Sequence, residues 1–185
     1  LPTDREVLQI LDAVGERHVT IDAARHDVGL QRSGGGIDLG SIGKGYAVDR
    51  AADTLRAHGI RNALIDAGGN ILAMGAASEA ESGWSVAIRN PSRPDAYFET
   101  ITLHDEGVAT SGNYEQSIVL DGRNVGHLFD LRTARPAEGR LSTSVVAKSA
   151  ALSDALSTTL FVLGPSAPES LTRLARHVYH HTVTG

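Results

Sequence analysis

Residues 62–75, NALIDAGGNILAMG, place two apolar β-type runs on either side of Gly68-Gly69-Asn70. More β-type runs follow: GWSVAIRN (83–90), YFETITL (97–103), GVATSG (107–112), YEQSIVL (114–120) and STSVVA (142–147). Turn residues rather than helices separate them, which predicts antiparallel or mixed sheets and not repeated βαβ units. Helical patterns flank this region. Thr3 or Asp4 can cap a first helix with Val7, Leu8, Ile10, Leu11 and Val14 mostly on one face, ended by Gly15. HVTID (18–22) is a short β-type run, and HDVGLQRSGGG (26–36) reads as a hairpin or loop. A second helix is predicted from about Gly45 to His58 and stops at Gly59, and a third from Ser149 to Leu163 stops at Gly164-Pro165. The last is predicted from Pro168 to about Tyr179. The fold class expected is α+β, with mixed or antiparallel sheets packed against helices in a single domain over residues 1–185.

Composition narrows the functional classes. The chain has 185 residues, 41% of them apolar and 21% charged, which suits one folding unit with a real core. A net charge of −5 disfavours a surface built for nucleic-acid phosphates. There is no cysteine, hence no disulfide framework, no thiolate nucleophile and no Cys-ligated metal, and the redox compartment stays open. No apolar run approaches the roughly 20 residues that span a bilayer. The start, LPTDREVLQ, lacks a signal-peptide pattern and would suit a fragment of something longer.

Two features carry chemistry. The first is IDLGSIGKGYAVDRAADTL (37–55), where Lys44 stands between Gly43 and Gly45 at the mouth of the second helix. Glycines ahead of a helix let backbone N–H groups approach an anion, and the helix N-terminus adds roughly half a positive charge. It is neither of the familiar phosphate loops: Asp38 stands where a Walker loop needs its first Gly, Gly45 follows Lys44 instead of Ser or Thr, and no G-x-G-x-x-G is present. A phosphate site and a plain turn into a helix with an exposed lysine both remain open from this loop alone. The second feature is the third helix. Leu152, Leu156, Leu160 and Leu163 make one stripe, Ala151, Ala155, Phe161 and Val162 cover most of the rest, and Asp154 and Thr158 lie one turn apart on the opposite face. A carboxylate in that setting must be paired, by an internal salt bridge, by capping a neighbouring strand or by a metal ion. One carboxylate and one hydroxyl without His or Cys favour a hard cation, Mg²⁺ being the natural one, completed by waters and substrate phosphates.

Four ordered blocks then carry a resemblance: IDLGSIGKGYAVDRAADTLRAHGIRNALIDAGGNILAMG (37–75), GVATSGNYEQ (107–116), GHLFDLRTARPA (126–137) and STSVVAKSAALSDALSTTLFVLG (142–164). In this order they resemble motifs of the ApbE family of FAD:protein FMN transferases, and they correspond to the C-terminal two thirds of that family's chain. The resemblance implies an ApbE-like, T-fold-like architecture and a Mg²⁺-dependent enzyme. Such an enzyme cleaves FAD at its pyrophosphate, attaches FMN to a Thr or Ser of an acceptor flavoprotein and releases AMP; some relatives look more like FAD pyrophosphatases. It implies that Asp154, Thr158 and an oxygen of Ser41 hold the metal, that Lys44 contacts FAD, and that Gly68-Gly69-Asn70 and Ser111-Gly112-Asn113 border the flavin nucleotide. His127 in GHLFDLRT matches the histidine of H-x-x-D-P-x-T-G and is implied at the active site, with Asp130 in place, Leu131 standing for the usual Pro and Ala134 for the usual Gly. The resemblance also points to a bacterial cell envelope, with no signal for it in this chain.

The reaction expected is attack by a target hydroxyl on the FMN-side phosphorus. Mg²⁺ and Lys44 neutralise the pyrophosphate, and His127 orients or deprotonates the hydroxyl, or else hydrogen-bonds a phosphate. Two other functions compete: hydrolysis of FAD to FMN and AMP, and FAD binding without turnover. The remaining polar and aromatic features read as structural. His180-His181 are helix neighbours that do not face one site, Trp84 packs a sheet and Asp66 fixes a turn, while the role of Asp38, placed to orient or cap the glycine loop, stays open.

Overall fold

The computed structural model describes residues 3–93, 95–113, 117–120 and 123–182. Helix α1 (Asp4–Ala13) is capped by Thr3, whose hydroxyl accepts from Glu6 N while the Glu6 carboxylate accepts from Thr3 N at 2.8 Å. Strands β1 (Val19–Asp22) and β2 (Asp27–Leu30) pair antiparallel. None of the described residues before Gly45 is buried, and Leu8, Ile10, Ile21, Val28 and Leu30 are exposed, so the core starts at helix α2 (Gly43–Ala57).

The opening stretch of sequence forms a hairpin of β3 (Ala63–Ala67) and β4 (Asn70–Met74), in which Ala67 faces Asn70. Gly68 and Gly69 between them have φ of +60° and +87°. Two successive positive-φ residues give a turn whose twist matches the flanking strands, and glycine takes it without strain. Asp66 Oδ1 accepts from Gly69 N at 2.9 Å and fixes that turn, as expected.

The chain continues through β5 (Trp84–Arg89), β6 (Tyr97–Leu103), β7 (Glu106–Gly112), β8 (Ser117–Leu120), β9 (Arg123–Gly126), β10 (Phe129–Asp130), β11 (Arg135–Pro136) and β12 (Arg140–Ala147). Helices α3 (Ala150–Leu163) and α4 (Glu169–Thr172) and strand β13 (His177–Thr182) complete it. Of the predicted strand 114–120, residues 114–116 lie outside the described residues and the rest is β8. A five-stranded antiparallel sheet, ordered β13-β12-β7-β4-β3, forms the centre. Alternation along its strands sends Leu72, Met74, Val145 and Ala147 to one face, against Val48 and Ala52 of α2 and Leu156 and Leu160 of α3. Ala73, Val108 and Val146 go to the other face, covered by Val86, Ile88, Ile101 and Leu103 of the β5–β6 hairpin. Trp84 packs on that second face and donates its indole N–H to Met74 O at 2.9 Å, the sheet-packing role expected of it. Among the described residues no helix is long and apolar enough to cross a membrane.

The predicted last helix is a correction. Only Glu169–Thr172 is helical, and His177–Thr182 is instead an edge strand on β12, with Val146 opposite His177 and Thr143 opposite His180. Val178, Tyr179 and Thr182 suit a strand, and pairing satisfies the outer backbone groups of β12, which a helix would have left to other partners. His180 and His181 therefore alternate across a strand: His180 Nδ1 lies 3.0 Å from Thr143 Oγ1, while the His181 ring meets Phe98 at 4.7 Å between centroids. They still do not share one site.

The first turn of α3 is wedged between two glycines. A Cβ on Gly45 would lie 2.3 Å from Ala150 O, and one on Gly107 would lie 2.7 Å from Ala150 N. Both obstacles are backbone, so neither can rotate away. Gly45→Ala is expected to lower stability by about 1–3 kcal/mol in urea denaturation. Gly43→Ala, whose Cβ would meet Leu39 Cβ at an ordinary 3.6 Å, serves as the control and should be tolerated.

Candidate active site

Helices α2 and α3 cap each other. Asp49 of α2 accepts from Ala150 N through Oδ1 at 2.9 Å and from Ala151 N through Oδ2 at 3.0 Å, while Ser149 Oγ accepts from Leu152 N at 3.2 Å. Three of the donors that a helix start leaves unpaired are thereby satisfied. In the other direction, Asp154 of α3 accepts from Gly45 N at 2.9 Å through Oδ2. Ile42, at the N-cap of α2, offers no side-chain acceptor, so Asp154 supplies one from outside the helix. Asp154 is only 4% exposed, and it caps a helix rather than the neighbouring strand expected. Asp49 is the residue that sequence reasoning missed.

The same carboxylate also faces a cavity of about 600 Å³. Ser41, Lys44, Ser111, Gly112, His127 and Thr158 line it with Asp154, which brings together every predicted metal-binding residue and both predicted catalytic residues. Lys44 is the second residue of α2 and is exposed, and Ser41 stands just ahead of the helix. Asp38 Oδ1 accepts from Gly40 N at 2.7 Å and holds the turn that presents Ser41. His127 is exposed in the link between β9 and β10. Ser111, on β7, places its Oγ 2.9 Å from Thr158 Oγ1 and 2.8 Å from Ser157 Oγ.

Gly68, Gly69, Asn70 and Asn113 are not among the lining residues. The two glycines form the β3–β4 turn. Asn70 is 2% exposed, and its Nδ2 has no hydrogen-bond partner among the described residues. Asn113 donates Nδ2–H to Ala137 O at 2.9 Å, and a Cβ on Gly126 would lie 2.0 Å from its Oδ1. It thus braces the strand end just before His127.

The donor set is compatible with a hard cation. Among the described residues no three His, Cys, Asp or Glu side chains cluster as metal ligands. A cation here would rest on one carboxylate and neutral oxygens, a set that suits Mg²⁺ and leaves coordination positions for waters and phosphates. Lys44 at the N-terminus of α2 adds positive charge to the same wall.

The family model for ApbE matches residues 1–180. The chain belongs to the ApbE family. It is 33% identical over 190 residues to a FAD:protein FMN transferase of Escherichia coli strain K12, covering 100% of this chain and 54% of that protein. It is 41% identical over 128 residues to a FAD:protein FMN transferase of Rhodobacter capsulatus, covering 69% of this chain and 24% of that protein. Its fold matches the crystal structure of the ApbE protein from Thermotoga maritima with a TM-score of 0.86 at 31% identity, over 97% of this chain and 59% of that one. The apo form of the flavinyl transferase ApbE from Pseudomonas stutzeri matches with a TM-score of 0.80 at 30% identity, over 100% and 57% of the two chains. The ApbE chain spans about half the length of the curated relative from Escherichia coli, rather than two thirds.

In the H-x-x-D stretch, Asp130 fixes the turn that follows it. Asp130 pairs with Arg132, whose Nη2 lies 2.7 Å from Oδ2, and Oδ1 also accepts from Arg132 N at 2.9 Å. The guanidinium hydrogen bonds hold the Asp130 carboxyl below its usual pKa. Ala134, where the resemblance implies Gly, sits at φ +51°, the left-handed region. Ala134→Gly is expected to stabilise the protein by up to about 1 kcal/mol in thermal or urea unfolding, because the strain relieved exceeds the added chain entropy. The Asp130 contribution is fully present above the ordinary aspartate pKa of about 3.9 and is lost as the pH falls through the lower folded-state value. Asp130→Asn should therefore flatten that part of the acid-unfolding profile and leave its slope above about pH 5 unchanged.

Proposed function

We propose that this chain carries the FAD-cleaving site of a Mg²⁺-dependent FAD:protein FMN transferase. In this reaction FMN passes from FAD to a Thr or Ser hydroxyl of an acceptor flavoprotein, and AMP is released. The observation that carries the reading is the convergence of Lys44, Ser41, Asp154, Thr158 and His127 on one cavity. Asp154, Thr158 and a Ser41 oxygen would hold the metal, which when bound neutralises charge on the pyrophosphate as a Lewis acid. Lys44 binds the same phosphates by charge, at the positive end of the α2 dipole. His127 accepts the proton of the attacking hydroxyl as the new P–O bond forms on the FMN-side phosphorus; the bond to the AMP phosphate breaks and AMP carries away the electron pair.

The test combines the protein with FAD, Mg²⁺ and a Thr-containing acceptor domain, read by mass spectrometry of the acceptor and by AMP release. A mass gain equal to FMN minus water supports transfer. FMN and AMP appearing with an unmodified acceptor would instead identify an FAD pyrophosphatase, and intact FAD would leave only a binding module. Lys44→Ala and Asp154→Ala should each reduce AMP release by about 10²–10³-fold, the usual cost of removing one charge-stabilising group. His127→Ala should cost about 10²–10⁴-fold if the imidazole moves the proton. Wild-type FAD affinity in Lys44→Ala would remove that residue from the phosphate site.

A further inference from the structure

Three hydroxyls and one carbonyl run in line from the cavity wall into α3. Thr158 Oγ1 lies 2.9 Å from Ser111 Oγ, Ser111 Oγ lies 2.8 Å from Ser157 Oγ, and Ser157 Oγ lies 2.9 Å from Asp154 O. Each hydroxyl has one proton to give. A carbonyl can only accept, so the Ser157 proton goes to Asp154 O. Ser157 must then accept from Ser111, and Ser111, with its proton spent, must accept from Thr158. No other assignment turns all three contacts into hydrogen bonds.

The direction of this chain has a chemical consequence at its open end. With its proton turned inward, Thr158 Oγ1 offers only lone pairs to the cavity. Lone pairs are what a cation needs, whereas a phosphate oxygen needs a donor. Ser157, fully buried, anchors the chain; Ser111, from a different element, links it to Thr158.

We propose that Ser111 and Ser157 are positioning residues that lock the Thr158 hydroxyl as an acceptor, so that this corner takes a hard divalent cation and does not donate to phosphate. This rests on the metal reading proposed above for Asp154 and Thr158. It gives Ser111 a different task from bordering the flavin: it acts through Thr158.

The experiment measures Mn²⁺ affinity by electron paramagnetic resonance on chelator-treated protein without FAD, and inorganic pyrophosphate affinity on the same metal-free protein. Ser111→Ala and Ser157→Ala each free the Thr158 proton and should weaken Mn²⁺ binding by about 5–10-fold, near the worth of one ordinary hydrogen bond. Ser111→Thr keeps a hydroxyl and should stay within about twofold of wild type on the same grounds. Pyrophosphate affinity of the metal-free alanine variants should hold or rise, since Thr158 is free to donate; a merely structural defect would lower both affinities. Loss of Mn²⁺ binding in Asp154→Ala is the control for the site itself. If the wild-type protein binds no Mn²⁺ that depends on Asp154, the metal reading fails. If it does, and both alanine variants bind Mn²⁺ like wild type, only the positioning role is overturned. Neutron diffraction of the deuterated wild-type protein decides the case even if the variants do not fold: a deuteron on Thr158 Oγ1 directed at Ser111 is expected, and one directed at the cavity overturns the proposal.

Discussion

The mutual capping of α2 and α3 is the constraint on which the site depends. Asp49 neutralises the start of α3, and Asp154, one turn into α3, neutralises the start of α2. Each helix start has partial positive charge and unpaired donors, and each finds a carboxylate on the other helix. The exchange requires the two helices to approach to backbone contact, which only a residue without a Cβ at position 45 allows. Gly45 is therefore as much part of the site as the side chains around it: it sets the distance at which Asp154 reaches α2.

That arrangement also reconciles two readings of Asp154 that look like alternatives in sequence. A buried carboxylate needs partners, and either a cap or a metal supplies them. A carboxylate has two oxygens with about four acceptor sites. One bond to Gly45 N uses one of them and orients the group, and the cavity side remains for a ligand. Capping and ligation are thus compatible, and the cap makes the ligand rigid. The hydroxyl chain through Ser111 and Ser157 applies the same logic to Thr158, where the fold uses up the proton.

Much of this was legible in sequence, for identifiable physical reasons. Helix α3 announced itself by a leucine stripe closed by Gly164-Pro165, and the β3–β4 hairpin by a Gly-Gly turn between apolar runs. Asp66 was readable as turn-fixing because its partner lies three residues away. Asp49 was not, because the donors it meets lie 101 and 102 residues further on, and nothing local distinguishes it from a solvent-facing helix residue. The C-terminal segment misled for a related reason. SLTRLARHVY carries enough helix formers to read as a helix, but its second half is claimed by the open edge of β12, a long-range demand that local propensity does not register. At Ala134 the turn takes left-handed geometry, which a residue with a Cβ bears as strain.

The site divides into a floor and a rim. Asp154 and Ser157 are buried on α3, Thr158 is half-buried beside them, and Ser111 is half-buried on β7 of the central sheet that α3 packs against. Ser41, Lys44 and His127 are exposed and sit on a loop, a helix tip and a strand link. Groups on the floor are fixed by the same hydrogen bonds that hold the helices together, so their geometry is as precise as the fold, and any change there perturbs stability and ligand geometry at once. Groups on the rim share few of those bonds, and changes there act on the ligand with little effect on the core. The metal-assisted transfer proposed above would make both demands: its metal ligands would have to be held rigidly, while the groups meeting the dinucleotide and the incoming hydroxyl would have to be reachable from outside. The partition follows from where the chain places its polar residues: Asp154, Ser157 and Thr158 lie on a helix packed against the sheet, whereas Ser41, Lys44 and His127 lie where helices and strands begin or end.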